Sequence, residues 1–296
     1  MFLLSTILLA STSLAQVKVE KVDYKGWDGS YRITNGAVDL VVVPQVGRVM
    51  RYGYVDGPNL LWENEALLGK TFPVDARTYR SYGGDKMWVA PQSLWNWPPD
   101  PALDGTAWKV EPIANGVRMS SPAGAKIKVS FQREITLGPF GTEATFKNSM
   151  TNKGARQPLS IWQVTQVNNP DAVTMQIAVT KEQPAGWFGY GNDRLDPNFH
   201  SLRSNNLVLK RNPKGARKFG ARSLTGVLSA TFAATRMFSE STAYARVPYP
   251  DRNSAQQAYL SADPDRYAEL EHVGPLTRME TNETVMQTVK WRLERG

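Results

Sequence analysis

Apolar and polar residues change places at nearly every step along most of this chain, and helical spacing is scarce. Period-two character or β-branched enrichment runs through AVDLVVV (37–43), AKIKVSFQREITL (125–137), TEATFKNSMTN (142–152) and LSIWQVTQV (159–167). It continues in VTMQIAVT (173–180), GVLSATFAATRMF (226–238), RYAELEHV (266–273) and ETVMQTVKWRLE (283–294). Alternation of this kind puts successive side chains on opposite faces of a strand. Asn35-Gly36, Asp56-Gly57-Pro58, Asn115-Gly116, Gly154 and Asn212-Pro213 fall between the runs as turns. Many short strands, punctuated by 23 Gly and 19 Pro, predict an all-β sandwich or barrel. Only LLWENEALLGK (60–70) suggests a helical turn. No linker or repeat divides the chain, so residues 16–296 are expected to form one domain.

Two stretches break the pattern. The first is MFLLSTILLASTSLAQ at the start, an apolar run from Phe2 to Ala10 followed by small residues. Residues 1–15 therefore read as a signal peptide cleaved before Gln16, although no Lys or Arg precedes Lys18. The run falls short of the roughly 20 apolar residues a membrane span needs. A periplasmic or secreted protein is the expectation.

The second stretch, about 70–108, contains YGGDKMWVAPQSLWNWPP (82–99) and reads as a long irregular embellishment on one rim of the sheets. Loops of this length are usually functional or disordered, and its aromatic content argues against disorder. Trp88, Trp95 and Trp97 offer flat apolar faces on which pyranose rings stack, and Asp85 and Lys86 offer partners for hydroxyls. Apolar faces with a few placed polar groups are the general form of a small-ligand site. The competing reading makes these tryptophans pegs in the core. Tyr79, Arg80 and Tyr82 are weaker candidates of the same kind.

Composition narrows the chemistry. The chain has no cysteine and only His200 and His272, which excludes a disulfide scaffold and leaves no histidine-rich metal site. No cofactor is expected. Walker-type phosphate loops, Gly-x-Ser-x-Gly elbows and His-Glu-x-x-His motifs are all missing. A net charge of +8 favours anionic partners, and for an exported protein that means an acidic glycan. The run LKRNPKGARKFGAR (209–222) concentrates Lys210, Arg211, Lys214, Arg217, Lys218 and Arg222, but only Phe219 interleaves them. It is expected to be a hairpin with a solvated cationic tip rather than a nucleic-acid surface. His200, in a polar loop, is expected to be solvated. Arg48, after Gly47, either clamps a sugar carboxylate or braces a turn.

ITNGAVDLVVVPQVGRVMRYGYVDGPNLLWEN (33–64) resembles the first hairpins of galactose mutarotase-like proteins. YGGDKMWVAPQSLWNWPPDPALDG (82–105) and YAELEHVGPLTRMETNETVMQTVKWRL (267–293) resemble further elements of an uncharacterised branch of that superfamily, in the expected order. The resemblance implies a large two-sheet antiparallel sandwich that binds carbohydrate on its concave face. It also implies a glutamate base on a late strand, for which Glu269 is the preferred counterpart and Glu271 the second. Aldose mutarotases pair that base with histidine acids from mid-chain strands. Here the corresponding strand, SIWQVTQV, offers Trp162, Gln163 and Gln166, and glutamine carries no proton at neutral pH. Glu269 and Glu271 share one strand face, with His272 on the other.

The expectation is therefore an exported carbohydrate-binding protein. An aldose epimerase using Glu269 and a non-histidine acid is the first alternative. A structural envelope module without a sugar ligand is the second.

Overall fold

The structure, a computed structural model, describes residues 16–74, 78–191 and 194–296. Residues 1–15, expected to be a signal peptide, lie outside the described residues. In chain order the strands are β1 (Lys18–Tyr24), β2 (Trp27–Thr34), β3 (Val38–Val43), β4 (Arg48–Tyr54), β5 (Asp85–Ala90), β6 (Lys109–Ile113) and β7 (Gly116–Ser120). They continue as β8 (Val129–Leu137), β9 (Ala144–Asn152), β10 (Gln157–Asn168), β11 (Ala172–Gln176), β12 (Trp187–Gly189), β13 (His200–Arg203) and β14 (Asn206–Leu209). The last are β15 (Arg217–Ala221), β16 (Val227–Phe232), β17 (Thr235–Glu240), β18 (Gln256–Leu260), β19 (Tyr267–Val273), β20 (Thr277–Met279) and β21 (Thr284–Arg295).

These form two antiparallel sheets. The first runs β1-β2-β3-β4-β5-β10-β19-β18-β15-β12, with β20 beside β10, and the second runs β13-β14-β11-β16-β17-β21-β9-β8-β7-β6. Their inner faces close over one apolar core, in which Ile33, Leu40, Val129, Phe146, Leu270 and Trp291 are excluded from water. The large all-β sandwich expected from the alternation is what the chain forms. The helical turn expected in 60–70 is a single 3-10 turn at Glu65–Leu67, capped by Asn64 Oδ1, which accepts from the Ala66 amide at 3.1 Å. GVLSATFAATRMF is not one strand but a hairpin, β16 and β17.

The irregular stretch required correction. Asp85–Ala90 is no loop but β5, a central strand bonded to β4 and β10 and buried throughout. The Gly-Gly before it explains how the chain enters the sheet. Gly83 and Gly84 have φ of 95° and 68°, and a Cβ would lie 2.1 Å from the Trp62 carbonyl oxygen at Gly83 and 2.3 Å from that of Val49 at Gly84. Only glycine tolerates both demands. The Gly84 amide then donates to the Trp62 carbonyl (2.7 Å), and the Gly84 carbonyl accepts from the Gln166 amide (2.9 Å).

Among the described residues, no helix is long and apolar enough to cross a membrane.

Candidate functional site

Cross-strand register sorts the predicted residues by face. On β5, Asp85 and Met87 point toward the second sheet, and Lys86 and Trp88 point away from it. Asp85 is fully buried. It accepts from Arg133 Nη2 of β8 at 2.5 Å, Gln163 Nε2 at 2.9 Å and Thr165 Oγ1 at 2.7 Å. Gln163 also accepts from Asn148 Nδ2 of β9 at 2.6 Å. Asp85 and Gln163, both expected on a sugar, thus knit the two sheets together and are corrected to interior residues. His272 shares this side, with its Nε2 2.9 Å from Ser239 Oγ. Burial holds its pKa down at about 4.

The outer face carries the rest. One cross-strand row reads Gln166, Glu269, Tyr259, Lys218 across β10, β19, β18 and β15. The next reads Lys86, Val164, Glu271, Gln257, Gly220, Phe188. A third sets Trp88 beside Trp162. Glu269 and Glu271 share this face, as the alternation of RYAELEHV requires. Glu269 Oε1 accepts from Gln166 Nε2 at 3.0 Å and stands 3.5 Å from Lys86 Nζ. Glu271 Oε2 accepts from Trp162 Nε1 and from Lys218 Nζ, each at 2.8 Å. Glu271 Oε1 and Gln257 Oε1 are buried and accept no hydrogen bond among the described residues.

Burial is the largest influence on the Glu271 carboxyl and pushes it up to about 7, against the opposing pull of Lys218. A carboxyl held there gains and loses its proton near neutral pH.

The three loop tryptophans have three different fates. Trp95 is a core peg, its Nε1 donating to the Val89 carbonyl at 2.8 Å and its ring edge-on to Trp88. Trp88, nearly buried on β5, packs edge-on to Trp162 at 5.2 Å, and its Nε1 donates to Asp104 Oδ2 at 2.7 Å. Trp97 is 56% exposed and meets Tyr79 at 4.6 Å.

Arg48 braces and does not clamp. It is fully buried, pairs with Asp104 and donates to the Gly83 carbonyl at 2.7 Å, so the segment before and after β5 is tied to β4 through it. His200 is buried rather than solvated, with its Nδ1 accepting from the Asp196 amide at 2.8 Å and its ring against Phe219.

Sequence reasoning missed Lys218, Gln257 and Tyr259. The basic run is not a hairpin tip. Arg217–Ala221 is β15, whose alternation sends Phe219 and Ala221 into the core and Lys218 onto the outer face. Arg222 is buried and donates to the Tyr244 and Val247 carbonyls. The strand signal was present in RKFGA, where the apolar residues fall at alternate positions behind the cations.

Among the described residues, no group of three or more acidic or histidine side chains is arranged to hold a metal ion.

No family model and no curated protein matches the chain. Solved structures do match. A galactose mutarotase-like protein from Lactobacillus casei ATCC 334 is similar at 9% identity and a TM-score of 0.59, over 90% of this chain and 100% of that one. A putative aldose 1-epimerase from Escherichia coli K12 is similar at 13% identity and a TM-score of 0.55, over 95% and 100%. A TPR-domain containing protein from Parabacteroides distasonis ATCC 8503 is similar at 13% identity and a TM-score of 0.61, over 89% of this chain and 46% of that one. This chain thus spans about half the length of that relative. Likeness at such low identity is likeness of fold, and the β-sandwich of this chain is similar in fold to galactose mutarotase-like proteins.

Proposed function

We propose that the outer face of the first sheet binds carbohydrate, with Glu271 at the centre of the site. One observation carries the reading. A polar floor of Lys86, Gln166, Glu269, Glu271, Gln257 and Lys218 is bordered by aromatic rings and leaves two buried acceptors, Glu271 Oε1 and Gln257 Oε1, without donors. Buried polar atoms without partners are rare, and vicinal hydroxyls are the donors that would satisfy this pair. Each lysine of the floor faces a glutamate, Lys86 with Glu269 and Lys218 with Glu271. Both lysines of the floor are thus engaged by carboxyl groups, which favours a neutral sugar over the acidic glycan suggested by the net charge.

A second reading, anomer interconversion, is favoured by the raised Glu271 carboxyl. Partly ionised near neutral pH, it would accept the anomeric hydroxyl proton as the bond from C1 to the ring oxygen breaks. The Lys218 ammonium would protonate the departing ring oxygen. The apolar N-terminal run supports export, for which mass spectrometry of the mature N terminus, expected at Gln16, is the check.

The test is nuclear magnetic resonance on the mature protein with neutral aldoses, uronic acids and their short oligomers. Saturation transfer to the neutral sugars is expected. Glu271→Gln should weaken binding by about 10- to 100-fold, the effect of losing a hydrogen bond to a charged group. No transfer to any sugar sinks the proposal, and uronic acids preferred over neutral sugars sink its charge argument. Accelerated exchange between anomers, abolished in Glu271→Gln, would add catalysis, and binding without exchange would remove it.

A further inference from the structure

The outward positions of β10 are Trp162, Val164, Gln166 and Asn168, and they define the length of the floor. Trp162, with Trp88 beside it, closes one end. Asn168 lies opposite Tyr267 at the other end, where the Trp62 ring meets Tyr267 at 4.6 Å, tilted by 36°, and Tyr259 follows at 5.9 Å. Six residues at a strand's rise of about 3.3 Å make this span about 20 Å. A single pyranose covers only part of it. The rings of Trp62, Tyr259 and Tyr267 are half-buried, so each keeps some surface for a ligand.

The face does not stop at Trp62. Trp62 and Asn168 also line an adjoining groove of 580 Å³, together with Asn59, Glu63 and Asn64. That volume lies within the range of small-molecule sites. An aromatic wall followed by amides and a carboxylate repeats the chemistry of the main floor.

We propose that the site holds an oligosaccharide laid along β10 and β19. One residue would sit at Glu271, later residues on the Tyr259–Tyr267–Trp62 platform, and the chain would leave through the groove beyond Trp62. The proposal rests on the carbohydrate reading and extends it from a single sugar to a glycan. Trp62 is well suited to a substitution test, because its backbone makes the structural hydrogen bonds: its amide donates to the Gln166 carbonyl at 2.9 Å and its carbonyl accepts from the Gly84 amide at 2.7 Å.

The experiment presents the mature protein to an array of neutral mono- to hexasaccharides covering the common linkages. Calorimetry on the best-bound ladder follows, for wild type, Trp62→Ala and Trp62→Phe. Affinity is expected to rise about tenfold or more between the monosaccharide and the tri- or tetrasaccharide, the scale of one added aromatic platform. That rise should vanish in Trp62→Ala and return in part in Trp62→Phe. Equal affinity at every length, or a rise that survives in Trp62→Ala, overturns the oligosaccharide proposal and leaves the carbohydrate reading standing. Silence across the whole array, with the wild type folded, overturns both.

Discussion

Asp85→Ala is expected to lower folding stability by about 3–5 kcal/mol, the range for breaking a buried ion pair from one side. Asp85 and Arg133 are both wholly excluded from water, on strands of opposite sheets. Without the carboxylate the guanidinium stays in the interior, held by one hydrogen bond to Asn148 Oδ1 at 2.9 Å and by the Phe146 ring 5.3 Å away. Gln163 and Thr165 lose their acceptor as well, and orphaned buried donors carry a cost of their own.

Arg133→Met should be destabilising for the mirror-image reason. The double variant Asp85→Ala/Arg133→Met should lose less than the two single losses added together, since neither charge then remains unpaired. Guanidinium chloride unfolding of the three proteins measures this. A loss under about 1 kcal/mol in Asp85→Ala, well below the range for such a pair, would show that the network does not bind the sheets together. So would strictly additive losses in the double variant.

The same network explains what could be read in the sequence and what could not. AVDLVVV is legible because Val38, Leu40 and Val42 make one face apolar along its length, and LSIWQVTQV and RYAELEHV because apolar residues recur along them although Gln163, Thr165 and His272 interrupt their inner faces. DKMWVA is not, since Asp85 and Lys86 are adjacent and both buried. The first is neutralised by Arg133 and the second faces Glu269, partners that lie 48 and 183 positions away. Local pattern cannot reveal such partners, so a central strand reads as a charged loop. The hairpin in GVLSATFAATRMF escaped for a different reason, because its turn is Ala233-Ala234 and carries none of the usual turn residues. For the site, alternation was enough to set Glu269 with Glu271 and apart from His272. It would also have separated Gln163 from Trp162 and Gln166. Lys218 and Gln257 come to Glu271 only through the order β19-β18-β15, which is a property of the sheet and not of any one segment.

Glu271 and His272 are consecutive residues with opposed titrations, and their variants should expose opposite pH slopes. Burial raises the Glu271 carboxyl from its ordinary 4.5 to about 7. Between those values the folded protein holds a proton that the unfolded chain has released, so this group's contribution makes stability fall as pH rises. Burial lowers the His272 imidazole from 6.5 to about 4. Over that interval the unfolded chain holds the extra proton, and stability rises with pH. Each slope is about 1.4 kcal/mol per pH unit, so the two nearly cancel where their windows overlap. Relative to wild type, Glu271→Gln should leave the histidine slope uncovered, with stability climbing from acid toward neutral pH and a gain that persists above pH 7. His272→Gln should leave the carboxyl slope uncovered and lose stability as pH rises through the same range. Urea midpoints measured at half-unit steps from pH 4 to 8 decide the matter, with each variant read as a difference from wild type. Profiles that run parallel to wild type in both variants would show that neither group is held off its ordinary titration. The acid–base role for Glu271 would then lose its physical basis, and the outer face would remain a binding surface alone.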